Sequence, residues 1–246
     1  MKSKSTIAQI QTFITKPYWF YGLILVLILL GGYLLFYDMN FGPWAFSDSA
    51  EYIISAKNLV EGYGLGVHAP NGAFMPLTLH PPFYSMLLAP FLFLNLDIFI
   101  TIKWLNILFF TGSLFLVAYG IFRISQSTLW ALTVAIIFLV SPALLDNFTG
   151  AMSEPLFIFL SIANFIFLNL YIKEKKKWYF WVAIITAGLA TLTRYIGLTS
   201  IFTGVVLLLL FSEGTWKKRI GLSIGYAIVA FIPLIIWFIY VGIISG

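Results

Sequence analysis

Runs of apolar residues, most of them long enough to cross a bilayer, occupy the greater part of this 246-residue chain. A transmembrane helix needs about 20 apolar residues. Only 9% of the residues are charged, against roughly 25% in a soluble domain. The sequence therefore predicts an all-α membrane protein with about seven transmembrane helices. The predicted spans are residues 18–37, 98–122, 128–145, 155–172, 178–193, 195–211 and 220–244.

The distribution of basic residues predicts which ends of these helices face inward, because cytoplasmic segments are enriched in Lys and Arg. We take the N-terminus as inside and keep the shorter apolar run 82–96 on the outer surface. Eleven of the 14 basic residues then fall on the inner side. They are Lys2, Lys4, Lys16, Arg123, Lys173, Lys175, Lys176, Lys177, Lys217, Lys218 and Arg219. The first run then predicts an uncleaved signal anchor, and residues 1–246 a single multi-pass domain in the plasma (inner) membrane.

Residues 178–211 form one apolar stretch that is too long for a single span. As one helix the stretch would be about 50 Å long, and it would move the basic residues 217–219 to the outer side. We therefore predict two short helices joined by a turn near residues 193–197, TRYIG. Arg194 in this turn is the only charged residue of the 34-residue stretch. A charge at membrane depth is a functional-site hypothesis by default.

The longest segment outside the predicted spans is the outer loop 38–97. Residues 48–61 carry apolar side chains at helical spacing and predict an amphipathic surface helix beside the membrane. The segment GYGLGVHAPNG predicts a flexible turn, and HPP begins a second surface helix with Pro in its first turn. Seven of the nine acidic residues fall on the outer side. The outer face is therefore predicted to be the working face.

Several segments, in order and with similar spacing, resemble the N-terminal half of a GT-C glycosyltransferase. They are FSDSAEYIISAKNLVEGYGLG, HPPFYSMLLAPF, IKWLNILFFTGSLFLVAYGIFRI, SEPLFIFLSIANFIFL and GLATLTRYIGL. This superfamily includes the protein O-mannosyltransferases and the lipid A aminoarabinose transferases. The resemblance implies a cell-envelope enzyme that transfers a sugar from a polyprenyl-phosphate donor to an acceptor on the outer face. Family members are generally longer, so it also implies that this chain is truncated relative to them.

The resemblance also implies roles for individual residues. The family has an acidic residue early in the first outer loop, usually paired with a second acid. The matching residue is Asp48, whose neighbour is Ser49 rather than an acid. Asp48 would be the general base that takes the proton of the acceptor hydroxyl. The donor phosphate would bind Arg194 and Lys57, and the acceptor side would be lined by Glu51, His80, Glu154 and Tyr52.

Most of these residues also have an ordinary structural explanation. Asp48 has the spacing of an N-cap in a capping box, with an acid three residues later. Tyr52 is typical of an interfacial aromatic residue, and Lys57 and Arg194 can extend their charged ends to the headgroups. Glu154 stabilises a helix as an acid in its first turn.

Composition excludes some functions and leaves others open. The chain contains no Cys, which excludes a disulfide or a thiolate site. Topology explains the +5 charge, so no nucleic-acid partner is expected. A divalent metal stays open, since some superfamily members use one. So do a non-catalytic GT-C-like subunit that binds a lipid carrier or membrane protein partners, and a lipid-linked-sugar transporter. The charged groups lie at one surface, which disfavours the transporter.

Overall fold

The computed structural model of the protein describes residues 17–245, and these are mainly α-helical. A two-stranded antiparallel hairpin, β1 (Gly66–His68) and β2 (Phe74–Pro76), lies between the second and third helices. The helices are α1 (Pro17–Asp38), α2 (Ser47–Val60), α3 (Phe83–Phe93), α4 (Ile98–Ser125), α5 (Thr128–Val140), α6 (Pro142–Asn147), α7 (Glu154–Glu174), α8 (Lys177–Thr193), α9 (Leu198–Phe211) and α10 (Trp216–Ser245). The predicted inner residues Lys2, Lys4 and Lys16 lie outside the described residues.

Four helices of the described chain are long and apolar enough to cross a membrane. They are Trp19–Asp38, Ile98–Ser125, Glu154–Glu174 and Trp216–Ile243. Their outer surfaces carry large apolar side chains, such as Leu29, Leu108 and Ile236, that are more than half exposed. Such surfaces suit lipid rather than water. The prediction of an all-α membrane protein is confirmed at this level, whereas the number of spans stays a prediction.

One predicted span, residues 128–145, is divided into two helices in the structure. The run 128–145 is divided at Ser141, whose backbone is extended, so that α5 ends there and α6 begins with Pro142. Proline supplies no N–H to a preceding helical turn, and it disfavours helical backbone in the residue before it. With 13 residues, α5 covers only about 20 Å of the roughly 30 Å apolar layer. The prediction of one continuous helix over 128–145 is therefore wrong.

The predicted break in the long apolar stretch 178–211 is confirmed. Helix α8 ends at Thr193, Arg194 is extended, and a short 3-10 turn, Tyr195–Gly197, leads into α9. Gly197 packs directly against the backbone of α8: a Cβ at this position would lie 2.5 Å from the carbonyl group of Ala190. The turn is thus folded tightly back onto the helix that precedes it.

The helices form two packed groups that meet at α7. Helix α4 packs against α1, α5 and α7, whereas α8, α9 and α10 pack together on the other side of α7. Asn164 of α7 is buried in the second group, where its amide donates to the carbonyl of Ala183 (2.7 Å) and to the hydroxyl of Tyr226 (2.7 Å). These bonds tie α7 to α8 and α10 in a region where water cannot replace them.

The basic loops meet at one end of the bundle. Arg123, near the end of α4, forms an ion pair with Glu174 at the end of α7, and Lys176 pairs with the same carboxylate at 2.9 Å. Lys175 pairs with Glu213 of the α9–α10 turn at 3.6 Å. The loops that the positive-inside rule groups together are therefore neighbours in the fold.

The first loop lies at the other end of the bundle and differs from its predicted form in two respects. The N-cap of α2 is Phe46, whose N–H donates to the hydroxyl of Ser49 at 3.0 Å. The alternative of Asp48 as N-cap is therefore wrong. The hydroxyl of Ser49, rather than the carboxylate of Glu51, accepts the hydrogen bond from the N-cap N–H. The Gly-rich segment is a β-hairpin rather than a flexible turn, and the hydroxyl of Tyr240 in α10 accepts from the N–H of Leu65 beside it at 3.1 Å.

The tight turn after Arg194 predicts the effect of one methyl group. Gly197→Ala is expected to destabilise the protein by about 1–3 kcal/mol, because the added Cβ meets backbone that cannot rotate away. Gly221→Ala is the matched control, since no atom lies within 4 Å of a Cβ there. The free energy of unfolding by SDS titration in mixed micelles is the measurement. Equal stability of the two variants would contradict the close packing of the turn.

Candidate active site

Three segments that are distant in sequence line one cavity at the end of the bundle that carries the first loop. They are helix α2, the loop before α3 and the turn after α8. The cavity has a volume of about 310 Å³, at the small end of the range for small-molecule sites. Its lining residues are Tyr52, Leu79, His80, Pro81, Arg194, Tyr195 and Ile196.

One side of the cavity carries a group of proton acceptors. The Nε2 atom of His80 lies 3.8 Å from Oδ2 of Asp48 and 3.6 Å from Oε2 of Glu51. These two acids are three residues apart, so α2 presents them on one face. Both distances exceed hydrogen-bond length, and the three groups are close neighbours rather than bonded partners. Asp48 and Glu51 adjoin the cavity through His80, which lines it.

The other side of the cavity carries Arg194. Its Nη1 atom lies 2.5 Å from Oε1 of Glu154 and donates to the hydroxyl of Ser153 at 3.2 Å. The same Ser153 hydroxyl is hydrogen-bonded to the hydroxyl of Tyr52 at 3.0 Å. Tyr52, Ser153, Arg194 and Glu154 thus form a continuous polar chain that joins α2, the start of α7 and the end of α8.

The local sequence explains why these groups meet. Arg194 has extended backbone at the point where α8 stops, and its side chain contacts Ser153 and Glu154 at the start of α7. Glu154 is in the first turn of α7, where a negative charge also favours the helix dipole. Tyr195 anchors the turn: its hydroxyl donates to the carbonyl of Thr78 at 3.0 Å and accepts from the indole N–H of Trp237 at 3.3 Å.

A separate bridge holds the first loop against the start of α7. Trp44 pairs with Gly150 across an isolated parallel bridge, and the indole N–H of Trp44 donates to the Thr149 hydroxyl at 2.9 Å. Asn106, buried in α4, donates to the carbonyl of Gly150 at 2.7 Å. The segments that carry Asp48 and Glu154 are therefore positioned relative to each other by hydrogen bonds outside the cavity.

Two buried tyrosines lie at the site: Tyr52 lines the cavity, and Tyr84 packs against Tyr52. Burial raises the pKa of the Tyr52 hydroxyl above its ordinary range, although the hydrogen bond to Ser153 opposes the shift. Tyr52 therefore stays protonated and can act as a donor at neutral pH. The ring of Tyr84 meets that of Tyr52 edge to face with the centroids 5.1 Å apart. The Tyr84 hydroxyl is buried and has no hydrogen-bond partner within the described residues.

Most of the sequence-predicted residues come together here. Tyr52, His80 and Arg194 line the cavity, Asp48 and Glu51 adjoin it through His80, and Glu154 through Arg194. Lys57 does not join them: it is exposed and pairs with Glu61 on its own helix at 3.7 Å.

Sequence reasoning missed Ser153, Tyr84 and Tyr195. Ser153 is fully buried between Tyr52 and Arg194, and the one sequence signal for it is its position directly before Glu154. Tyr195 lies in the predicted turn but has no charge to draw attention to it. Tyr84 follows HPP inside a run that is otherwise apolar. Each of these three residues is relevant to the site because it contacts a residue that is distant in sequence.

Among residues 17–245, no group of three or more His, Cys, Asp or Glu side chains is arranged to hold a metal ion. We therefore assign no chemistry to a metal here. The chain's own groups offer proton acceptors on one side of a small cavity and a guanidinium on the other. This combination suits a reaction in which a hydroxyl is deprotonated and an anionic group leaves.

The chain matches no protein-family model, no curated protein and no solved structure. The motifs and the geometry of the site are therefore the observations that bear on its function.

The contact between Arg194 and Glu154 predicts a measurable coupling. Glu154→Gln and Arg194→Gln are each expected to destabilise the protein, because each leaves the other charge without its partner. In the double variant, part of that loss is expected to be recovered. Because the two side chains are 24% and 35% exposed, the coupling is expected to be about 1–2 kcal/mol, between exposed and buried pairs. The coupling is obtained from the free energies of unfolding of the wild type, the two single variants and the double variant in mixed micelles. Additive effects of the two substitutions would contradict a direct ion pair.

Proposed function

We propose that the chain is a glycosyltransferase of the GT-C type, which transfers a sugar from a polyprenyl-phosphate donor to an acceptor hydroxyl at the membrane surface. One observation carries the proposal: residues from HPP, from TRYIG and from α2 line a single cavity of about 310 Å³, and Glu154 adjoins it through its contact with Arg194. Independent structural roles give no reason for residues so distant in sequence to gather at one cavity.

In this proposal Asp48 is the general base. Attack on the anomeric carbon requires an acceptor hydroxyl that loses its proton as the bond forms, and a carboxylate within reach can take it. His80 lies between Asp48 and the cavity, so it would orient the acceptor hydroxyl together with Glu51. Tyr52, whose hydroxyl is protonated at neutral pH, would donate a hydrogen bond to the sugar or to the acceptor.

Arg194 would bind the donor phosphate. The leaving group is a lipid phosphate, whose developing negative charge a guanidinium stabilises. Glu154 is the ion-pair partner of Arg194 in the structure. The phosphate would therefore replace this carboxylate as the partner of Arg194. The released Glu154 would then face the acceptor. Lys57 receives no role in the proposal, because it does not line the cavity.

Two apolar cavities support a lipid-linked donor. One of about 320 Å³ contains Leu192, Pro233 and Trp237, and one of about 260 Å³ contains Gly188 and Pro233. Both lie between α8 and α10 and share Pro233. Along α8, the smaller cavity lies beside Gly188 and the larger one beside Leu192, which is two residues before Arg194. A polyprenyl tail lying in these cavities would deliver its phosphate to the guanidinium.

The proposed orientation has the N-terminus inside, about seven spans and the cavity at the outer face of the plasma membrane. The positive-inside rule supports it, and so does the gathering of the basic loops at the end opposite the cavity. Helices α5, α8 and α9 are shorter than a full span, so in this orientation they would cross only where the bilayer thins or where neighbouring helices shield them.

A second candidate function is a non-catalytic membrane subunit that binds a lipid carrier or partner proteins. The ion pair between Arg194 and Glu154 favours it, since an arginine already neutralised at 2.5 Å is a weaker phosphate ligand. On this alternative the polar chain from Tyr52 to Glu154 is a structural clamp. The transfer reaction separates the two functions.

Transfer of label from a radiolabelled polyprenyl-phosphate sugar pool, in membranes with matched expression, tests the enzyme. Asp48→Asn is expected to lower the rate by about 10²–10⁴-fold, the range for loss of a general base. Arg194→Ala is expected to lower it by about 10²-fold or more through loss of charge stabilisation. Asp97→Asn is the matched control: it makes the same change at the N-cap of α4, where Asn caps equally well.

Each outcome of this assay has a defined meaning. Transfer by the wild type and by Asp97→Asn, but not by Asp48→Asn, supports the enzyme and the base. If His80→Gln lowers the transfer rate as much as Asp48→Asn does, the proton acceptor is the imidazole of His80 rather than the carboxylate of Asp48. Undiminished transfer in both Asp48→Asn and Arg194→Ala would remove these residues from the mechanism. Absence of transfer by the wild type, with the donor pool present, favours the subunit.

Orientation is tested separately, because a chain without Cys accepts single cysteines as reporters. Asn71→Cys at the exposed tip of the hairpin is expected to react with a membrane-impermeant maleimide in intact cells. Lys177→Cys, exposed at the start of α8, is expected to react only after the membrane is permeabilised. The opposite pattern would invert the proposed topology.

A further inference from the structure

A second cavity, of about 440 Å³, lies at the end of the bundle opposite the candidate active site. It lies where α7 ends, beside the turn between α9 and α10. Helix α7 carries Glu154 in its first turn and ends beside this cavity, so the two sites are separated by about 30 Å, the length of the helix. The lining residues are Tyr171, Lys175, Ser212, Glu213, Lys218 and Leu222.

The cavity is strongly basic. Lys175 and Lys218 line it, and Lys217 and Arg219 are adjacent in the first turn of α10. The one acid among the lining residues is Glu213, which is 83% exposed and pairs with Lys175 at 3.6 Å. An exposed pair of this kind contributes little to stability, so an incoming anion can replace the carboxylate on Lys175.

A buried hydroxyl is present with no partner. Ser212 is 4% exposed, and within the described residues its Oγ atom has no hydrogen-bond partner. An unpaired buried hydroxyl costs about 1–3 kcal/mol. Because Ser212 is one of the lining residues, a ligand oxygen in the cavity would satisfy it.

Three helix ends adjoin the cavity: α10 begins there, whereas α7 and α9 end there. Helix α10 begins beside the cavity, so the positive end of the dipole of a long helix is directed to this region. The carbonyls at the end of α9 are already engaged: those of Leu209 and Leu210 accept from Arg219 at 3.4 and 3.2 Å. The carbonyl of Tyr171 accepts from the N–H of Lys175 at 2.8 Å.

We propose that this cavity binds a phosphate group, with the anionic headgroup of a phospholipid as its source. The ammonium groups of Lys175 and Lys218 would bind the phosphate oxygens, and the hydroxyl of Ser212 would donate to one of them. Tyr171 and Leu222 provide an apolar wall continuous with α7 and α10, which suits the start of an acyl chain. A basic cavity among helices at a membrane surface is the usual form of such a site. The site does not depend on the proposed transferase activity.

Lipid binding to the full chain in detergent micelles, counted by native mass spectrometry, tests the site. Phosphatidylglycerol is expected to bind saturably, and phosphatidylcholine, whose choline cancels the charge, to bind much more weakly. Lys218→Gln is expected to weaken phosphatidylglycerol binding about tenfold or more, through loss of a charge-assisted hydrogen bond. Ser212→Ala is expected to weaken it several-fold, and Glu213→Gln to tighten it by removing the competing carboxylate.

Lys217→Gln is the matched control, because it removes the same charge from the neighbouring residue, which does not line the cavity. Its effect is expected to stay below about threefold, as for an exposed charge. Competition by inorganic phosphate as effective as that by phosphatidylglycerol would support the site and identify free phosphate as its ligand. Equal losses in Lys217→Gln and Lys218→Gln, or equal binding of the two lipids, would overturn the proposal in favour of diffuse surface attraction.

Discussion

The contact between Arg194 and Glu154 links the two packed groups of helices at the end where the candidate site forms. A partly buried guanidinium is costly without a partner, and a carboxylate at 2.5 Å offsets much of that cost. The pair also fixes where α8 must stop relative to the start of α7. Ser153 extends the contact to Tyr52 and thus to the surface helix α2. Without this pair the cavity would lose the groups that hold its two sides together.

The site combines features of a catalyst with features of a structural clamp. Proton acceptors and a guanidinium face one small cavity, as a group-transfer reaction to a hydroxyl requires. The same guanidinium is already neutralised, and the residue next to Asp48 is Ser49 rather than a second acid. Ser49 has a structural task instead, since it accepts the N–H of Phe46 and begins α2. Glu51, one turn after Asp48 on the same face of α2, places a second carboxylate 3.6 Å from Nε2 of His80.

Much of the fold could be predicted because lipid leaves few choices for an apolar chain. The four long helices follow from unbroken apolar runs, and the break at Arg194 follows from helix length and charge together. The division at Ser141 could not be read from hydropathy, because one serine and one proline barely change the apolar content of their run. The hairpin was missed because its pairing depends on contacts with α10, such as the bond from Leu65 to Tyr240, rather than on local pattern.

The site was predictable to the extent that its members are charged residues at one predicted surface. Asp48, His80, Glu154 and Arg194 could be named in this way. Which of them touch depends on Trp44, Asn106 and Gly150, whose hydrogen bonds align the loop with α7 and leave no signature in sequence. Lys57 shows the opposite outcome. Its position in the sequence suggested a phosphate ligand, but in the structure it lies outside the cavity and pairs with Glu61, four residues along the chain.

If Arg194 binds a lipid phosphate as proposed, its pairing with Glu154 also has a consequence for selectivity among lipids. Every phospholipid carries a phosphate, and a bare guanidinium at the surface would be occupied by the most abundant of them. With Glu154 in place, a ligand must offer more than a phosphate: it must also gain enough from the apolar cavities along α8 and α10 to displace the carboxylate. A ligand with equal affinity for the paired and unpaired states would leave the equilibrium unchanged. In the proposed transferase, the ion pair would therefore act as a threshold that favours long, branched lipid tails over common headgroups.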